Sequence, residues 1–203
     1  MTAVRERFPA LATRAVFLDG PGGSQVPQEV LDAVAAYLRG SNANLGGAFP
    51  TSAASDEIIA DARAAAADFT GATPEGIAFG ANMTTLNFQL AHAVARTLEP
   101  GDEIIVTQLD HDANVSPWLL VARDHGLVVR TAPIHTDDVT LDEDAVEELI
   151  GERTRVVAFS LASNAVGSIP DAARIASAAH RVGALAWADG VHLAPHRRLR
   201  ARD

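Results

Sequence analysis

Leu86, Leu90, Val94 and Leu98 stand four residues apart in MTTLNFQLAHAVARTL, and this apolar stripe predicts an α-helix over 83–98. The rest of the chain alternates between helical periodicity and short continuous apolar runs. VPQEVLDAVAAYLRG (26–40) reads as a helix with Pro27 near its first turn and Gly40 beyond its end. SAASDEIIADARAAAADFTG (52–71) reads as a second helix stopped by Gly71. NVSPWLLVARDHG (114–126), the acidic-fronted LDEDAVEELIG (141–151) and PDAARIASAAHRVG (170–183) are further helices. Between them GIAFG (76–80), EIIVTQ (103–108), LVVRTAP (127–133), RVVAFSLA (155–162) and ALAWA (184–188) read as strands. Continuous apolar strands alternating with helices predict an α/β fold, a mostly parallel sheet with helices on both faces.

In such sheets ligands bind beyond the carboxyl ends of the strands, so the residues that follow each strand are the candidates for chemistry. After GIAFG comes ANMTT, a helix start whose unpaired N–H groups suit a phosphate, with Asn82, Thr84 and Thr85 as added donors; a plain helix cap is the competing reading. After EIIVTQ comes LDHDANVSPW, where His111 stands between Asp110 and Asp112 and could stack on a flat ring, act as a base, or serve structurally. After RVVAFSLA, Ser163 and Asn164 offer short donors and acceptors, or only turn chemistry. After ALAWA, Asp189 follows an apolar strand, so it is expected to be partly buried and in need of a partner. His192 and His196 have the spacing of ligands on a helix, but Pro195 breaks that helix, and no metal site is expected. Together these four places describe a phosphate cradle, a histidine suited to an aromatic ring, an amide and a buried carboxylate. A carboxylate facing a pyridine nitrogen keeps that nitrogen protonated. Pyridoxal 5'-phosphate (PLP) has the matching features.

Composition narrows the partners. Of the 203 residues 48% are hydrophobic and 21% charged, and the net charge of −10 argues against nucleic acid and against an anionic membrane surface. No cysteine is present, so neither disulfides nor thiolate chemistry come from this chain. No apolar run reaches a membrane span, the first residues carry no signal-peptide core, and a cytoplasmic setting is expected. All sixteen basic residues are arginine.

The motifs FLDGPGGSQVP (17–27), FGANMTTLN (79–87), LDHDANVSPW (109–118), SNAVGSIPD (163–171) and ADGVHLAPH (188–196) resemble those of the class V aminotransferases, fold-type I PLP-dependent enzymes, and most closely the cysteine desulfurase-like branch. They occur in that family's order. The resemblance implies a PLP-dependent transferase or lyase acting on an amino acid, and a homodimer in the full-length family. It implies that Ala81, Asn82 and Met83 take the phosphate, that His111 stacks on the PLP ring, and that Asn164 lies near the phenolic oxygen. It makes Asp189 the partner of the pyridine nitrogen. His192 stands where desulfurases carry a glutamine on the same oxygen, and Ala81 and Asn82 replace a threonine pair. Gly22 and Gly23 match a loop that approaches substrate. The family's Schiff-base lysine is absent, as the sequence contains no lysine.

The expected organisation is an N-terminal segment (1–25), a partial PLP-binding large domain (26–196), and an arginine-rich tail (197–203) foreign to the fold, with the small C-terminal domain absent. A truncated and inactive product is expected on this reading, with an apolar sheet edge left exposed. The rivals are a lysine-free protein that binds PLP or another phosphorylated ligand, a non-functional fragment, and an unrelated sugar-phosphate or nucleotide enzyme, the last lacking any glycine-rich phosphate motif.

Overall fold

The computed structural model describes residues 2–201. They form two compact units that divide between Ile77 and Ala78. The first unit is helical, with α1 (Thr2–Arg5), α2 (Gln28–Gly40) and α3 (Pro50–Thr70). Proline opens α3, where its missing N–H costs nothing, and Gly71 ends it in the left-handed conformation at φ 69°. Gly40 is the last residue of α2 rather than a residue beyond it. The Tyr37 hydroxyl of α2 meets Ser55 Oγ of α3 at 3.0 Å. Val30, Leu31, Val34 and Leu38 on α2 remain exposed.

The second unit carries α4 (Met83–Ala95), β1 (Glu103–Thr107), α5 (Ser116–His125), β2 (Val128–Ala132), β3 (Ile134–His135), β4 (Thr140–Leu141), α6 (Glu143–Leu149), β5 (Thr154–Ser160), α7 (Ala172–Arg181) and β6 (Leu185–Asp189). Four strands make one parallel sheet in the order β2-β1-β5-β6. Successive side chains on a strand point to opposite faces, and β1 shows the consequence. Ile104 and Val106, with Val156 and Ala158 of β5, pack under Ala91 and Ala95 of α4 and Trp118, Val121 and Ala122 of α5. Ile105, with Val157 and Phe159, packs on the other face under Val146 of α6 and Ile175 and Ala179 of α7. Because both faces are buried, the strand sequences show no polar alternation. The sequence expectation of an α/β sheet covered on both sides holds for this unit.

Three expectations change. GIAFG forms no strand: a 3-10 turn spans Pro74–Gly76, and the extended residues after it pair with no neighbour among the described residues. The helix over 83–98 ends at Ala95, and its fully buried residues are not those of the leucine stripe, of which Val94 and Leu98 pack partly buried against the core. Asn87, Ala91 and Ala95 are buried instead, while Leu90 is exposed. Small side chains on this face let α4 pack against α5 and the turn after β1. The β3–β4 pair is antiparallel, too short to register as a period in sequence. The arginine-rich tail is described to Ala201, and Leu199 packs over Gly190, where an added Cβ would lie 3.1 Å from Leu199 Cδ1; Arg202 and Asp203 lie outside the described residues.

Candidate functional site

The carboxyl ends of β1, β5 and β6 share one rim of the second unit, and α4 packs against the turn after β1. The start of α4 is a capped helix. Asn82 Oδ1 accepts from Thr85 N at 2.8 Å, and Asn82 O accepts the first intrahelical bond, from Leu86 N, at 3.1 Å. The Asn82 side chain is therefore spent on the helix. What remains for an anion is the backbone N–H of Met83 and Thr84, which precede the first helical bond. Ala81 sits one residue ahead of the cap, exposed.

His111 follows β1 and opens a 3-10 turn over Asp112–Asn114. Its Nδ1 accepts from Ala113 N at 3.1 Å. An imidazole nitrogen that accepts carries no proton, so the neutral ring bears its hydrogen on Nε2. The turn is anchored from beneath: Asn87 Nδ2 of α4 donates to Ala113 O at 2.6 Å and to Asn114 Oδ1 at 3.1 Å. Trp187 Nε1 of β6 donates to Asn87 Oδ1 at 2.8 Å. The exposed imidazole thus stands on a buried amide pair that ties α4 to β6.

Asp189 is the last residue of β6 rather than the first beyond it, and is paired in register with Ser160 of β5. It is half-buried as expected. Its Oδ1 accepts from Val191 N at 2.8 Å, its one side-chain hydrogen bond among the described residues. Ser163 is buried, and its Oγ accepts from Ala165 N and Val166 N at 3.3 and 3.4 Å, closing the turn that carries the half-buried Asn164. His192 lies in the turns after β6 and meets His196 edge to face, ring centroids 5.8 Å apart. Gly22 and Gly23 belong to the first unit, where Gly20–Gly22 is a 3-10 turn.

The sequence reading treated Asp110 only as a flank of His111. It is instead the hub of the rim. Thr107 Oγ1 donates to Asp110 Oδ2. Ser160 Oγ, at 2.8 Å, and Asn114 Nδ2, at 2.7 Å, donate to Oδ1. Burial pushes the Asp110 carboxyl above the usual carboxylate range, the three donors hold it down, and the nearby charge of Asp189 pushes it up further. The available signal was that Thr107, Ser160 and Asp110 are the polar residues where apolar strands end.

Such a donor and acceptor set suits PLP. Helix-start amides would suit a phosphate, a half-buried carboxylate with an open oxygen would suit a cationic ring nitrogen, and an exposed imidazole would suit a flat ring. The parallel sheet with its rim defines the large-domain architecture of fold-type I PLP enzymes. Among solved structures, the cysteine desulfurase CsdA of Escherichia coli, in its S-sulfonic acid form, superposes with a TM-score of 0.86 at 30% identity, over 99% of this chain and 51% of that one. The profile described as aminotransferase class V matches residues 16–203, and the chain belongs to that family. Families of this kind are PLP-dependent.

The aminotransferase-like protein FGM3 of Gibberella zeae is 37% identical, over 98% of this chain and 51% of that protein. A probable cysteine desulfurase of Halobacterium salinarum is 34% identical over 99% of this chain and 50% of its own length. The chain spans about half the length of these relatives. No helix among the described residues is long and apolar enough to cross a membrane.

Proposed function

We propose that this chain is the ring-holding part of a cysteine desulfurase-like, PLP-dependent enzyme that acts on an amino acid. The observation that carries the reading is Asp189. It ends the apolar edge strand β6 with one carboxylate oxygen fixed by Val191 N and the other without a hydrogen bond among the described residues. A half-buried carboxylate in that state calls for a donor, and a protonated pyridine nitrogen is one.

On this reading Asp189 keeps the ring nitrogen protonated, and His111 covers the ring with its orientation set by Ala113 N. The amides of Met83 and Thr84, with Ala81 and Asn82 shaping the turn, take the phosphate. Asn164 and His192 serve the phenolic oxygen. When bound, PLP supplies the electron sink that stabilises a carbanion next to the substrate nitrogen. The 203 residues contain no lysine, so they hold PLP without a covalent bond and without turnover. Homodimerisation and a cytoplasmic setting belong to the same proposal.

The test is titration of the purified chain with PLP, followed by tryptophan fluorescence and by absorbance. Reversible, saturable binding is expected, with borohydride fixing no PLP to the protein. Asp189→Ala and His111→Ala should each weaken binding at least about tenfold, the loss of one charge-assisted contact or one ring contact. Binding that both substitutions leave unchanged would overturn the assignment.

A further inference from the structure

Two carboxylates share this rim, and the reading above uses only one. Asp110 and Asp189 are close enough for each to feel the other's charge, and neither makes an ion pair among the described residues. Ser160 links them: its hydroxyl bonds Asp110, and its backbone is the register partner of Asp189. Like charges in a partly dry setting are unfavourable unless something cationic joins them.

The hydrogen-bond partners of Asp110 are arranged for its ionised form, while burial and the charge of Asp189 oppose that form. Asn114 Nδ2 can only donate. Thr107 Oγ1 already accepts from Leu109 N at 3.2 Å, so its own proton goes to Asp110. With Ser160, every neighbour is arranged around an acceptor. Asn114 is in turn held by Asn87, and Asn87 by Trp187, so the carboxylate is built in from three strands and a helix. A simple turn anchor for His111 needs no charge; a neutral amide would serve.

We propose that Asp110 is a positioning residue of the cofactor site, a second carboxylate that reinforces the hold of Asp189 on a protonated ring nitrogen. This rests on the PLP reading. Asp110 does not touch the ring. It deepens the negative potential at Asp189, and binding of the cationic nitrogen relieves the repulsion between the two carboxylates.

The experiment compares two ligands on the full chain: PLP, and its analogue with carbon in place of the ring nitrogen. Asp110→Asn removes the charge and keeps the side-chain shape. It should weaken PLP about fivefold to tenfold, as expected for losing one carboxylate that acts on a cation through Asp189, and change the analogue by less than about twofold. Equal loss on both ligands would make Asp110 a scaffold only, and no loss on either would remove its role; both results overturn the inference while leaving the PLP reading intact. A parent chain that binds neither ligand, or binds both equally, instead defeats the PLP reading and this inference with it. Should Asp110→Asn fail to fold, Ser160→Ala takes its place. It strips one hydroxyl from the carboxylate and should give a smaller loss confined to PLP, and a loss shared with the analogue overturns the proposal.

Discussion

Replacing Asn87 by alanine strikes the buried polar network where three hydrogen bonds meet. Asn87 is 3% exposed. Its amide nitrogen donates to Ala113 O and Asn114 Oδ1, and its oxygen accepts from Trp187 Nε1. Asn87→Ala therefore abandons two acceptors and one donor at once. A buried polar group stripped of its partner costs about 1–3 kcal/mol. Trp187 is only partly buried, and water entering the space left by the amide can recover some of the loss. The net cost is then about 3 kcal/mol rather than the full sum of three groups, which is a large share of the roughly 5–15 kcal/mol that holds a domain folded. For a chain of this size about 1 kcal/mol moves the melting midpoint by roughly 2–4 °C, so the variant should melt roughly 6–12 °C below the parent. Circular dichroism at fixed protein concentration measures this. The turn carrying His111 loses its support in the same stroke, so PLP affinity should fall with stability. A midpoint within about 2 °C of the parent would show that the network carries no net stability, and the account of how His111 is held would fail.

Two further outcomes are expected. The raised pKa of Asp110 means that the folded chain binds its proton more tightly than the unfolded chain does, whose aspartates titrate near ~3.9. Ionised Asp110 thus costs stability, and the cost appears as pH rises through its folded pKa. The melting midpoint of Asp110→Asn minus that of the parent should therefore increase from about pH 4 toward neutrality; a flat or falling difference contradicts the burial of this carboxyl. Ile105, fully buried between β5 and the α6–α7 face, should cost about 2–5 kcal/mol on truncation to alanine, read by urea denaturation, and a cost under about 1 kcal/mol would place it outside the core.

The parallel sheet was legible because its signal is redundant. Each of the runs EIIVT, VVAFS and LAWA is apolar on both sides of its strand, and helices follow the first two, so periodicity and composition point the same way. GIAFG carried the same local signal and pairs with nothing among the described residues, because a strand exists only where a neighbour offers its edge, and sequence does not show the neighbour. The buried face of α4 was misread for a related reason. Helical spacing offered two adjacent stripes, one of leucines and one of Asn87, Ala91 and Ala95. Bulk favours the first in isolation. Packing against α5 and the turn after β1 takes up the second, whose small side chains allow it.

The same choice explains why the polar core of the site was hidden. Had α4 buried its leucines, no amide would reach the turn after β1. Burying the alanine stripe brings Asn87 inward with it, and a buried amide must be satisfied. Asn114, Ala113 O and Trp187 satisfy it, and Asn114 can then turn its own donor to Asp110. The residues visible in sequence, His111 and Asp189, are those that face a ligand. The residues that hold them are an amide, a hydroxyl pair and an indole scattered over a hundred positions, from Asn87 to Trp187. Their pairing follows from which face α4 buries, and so it became readable only once the packing was known.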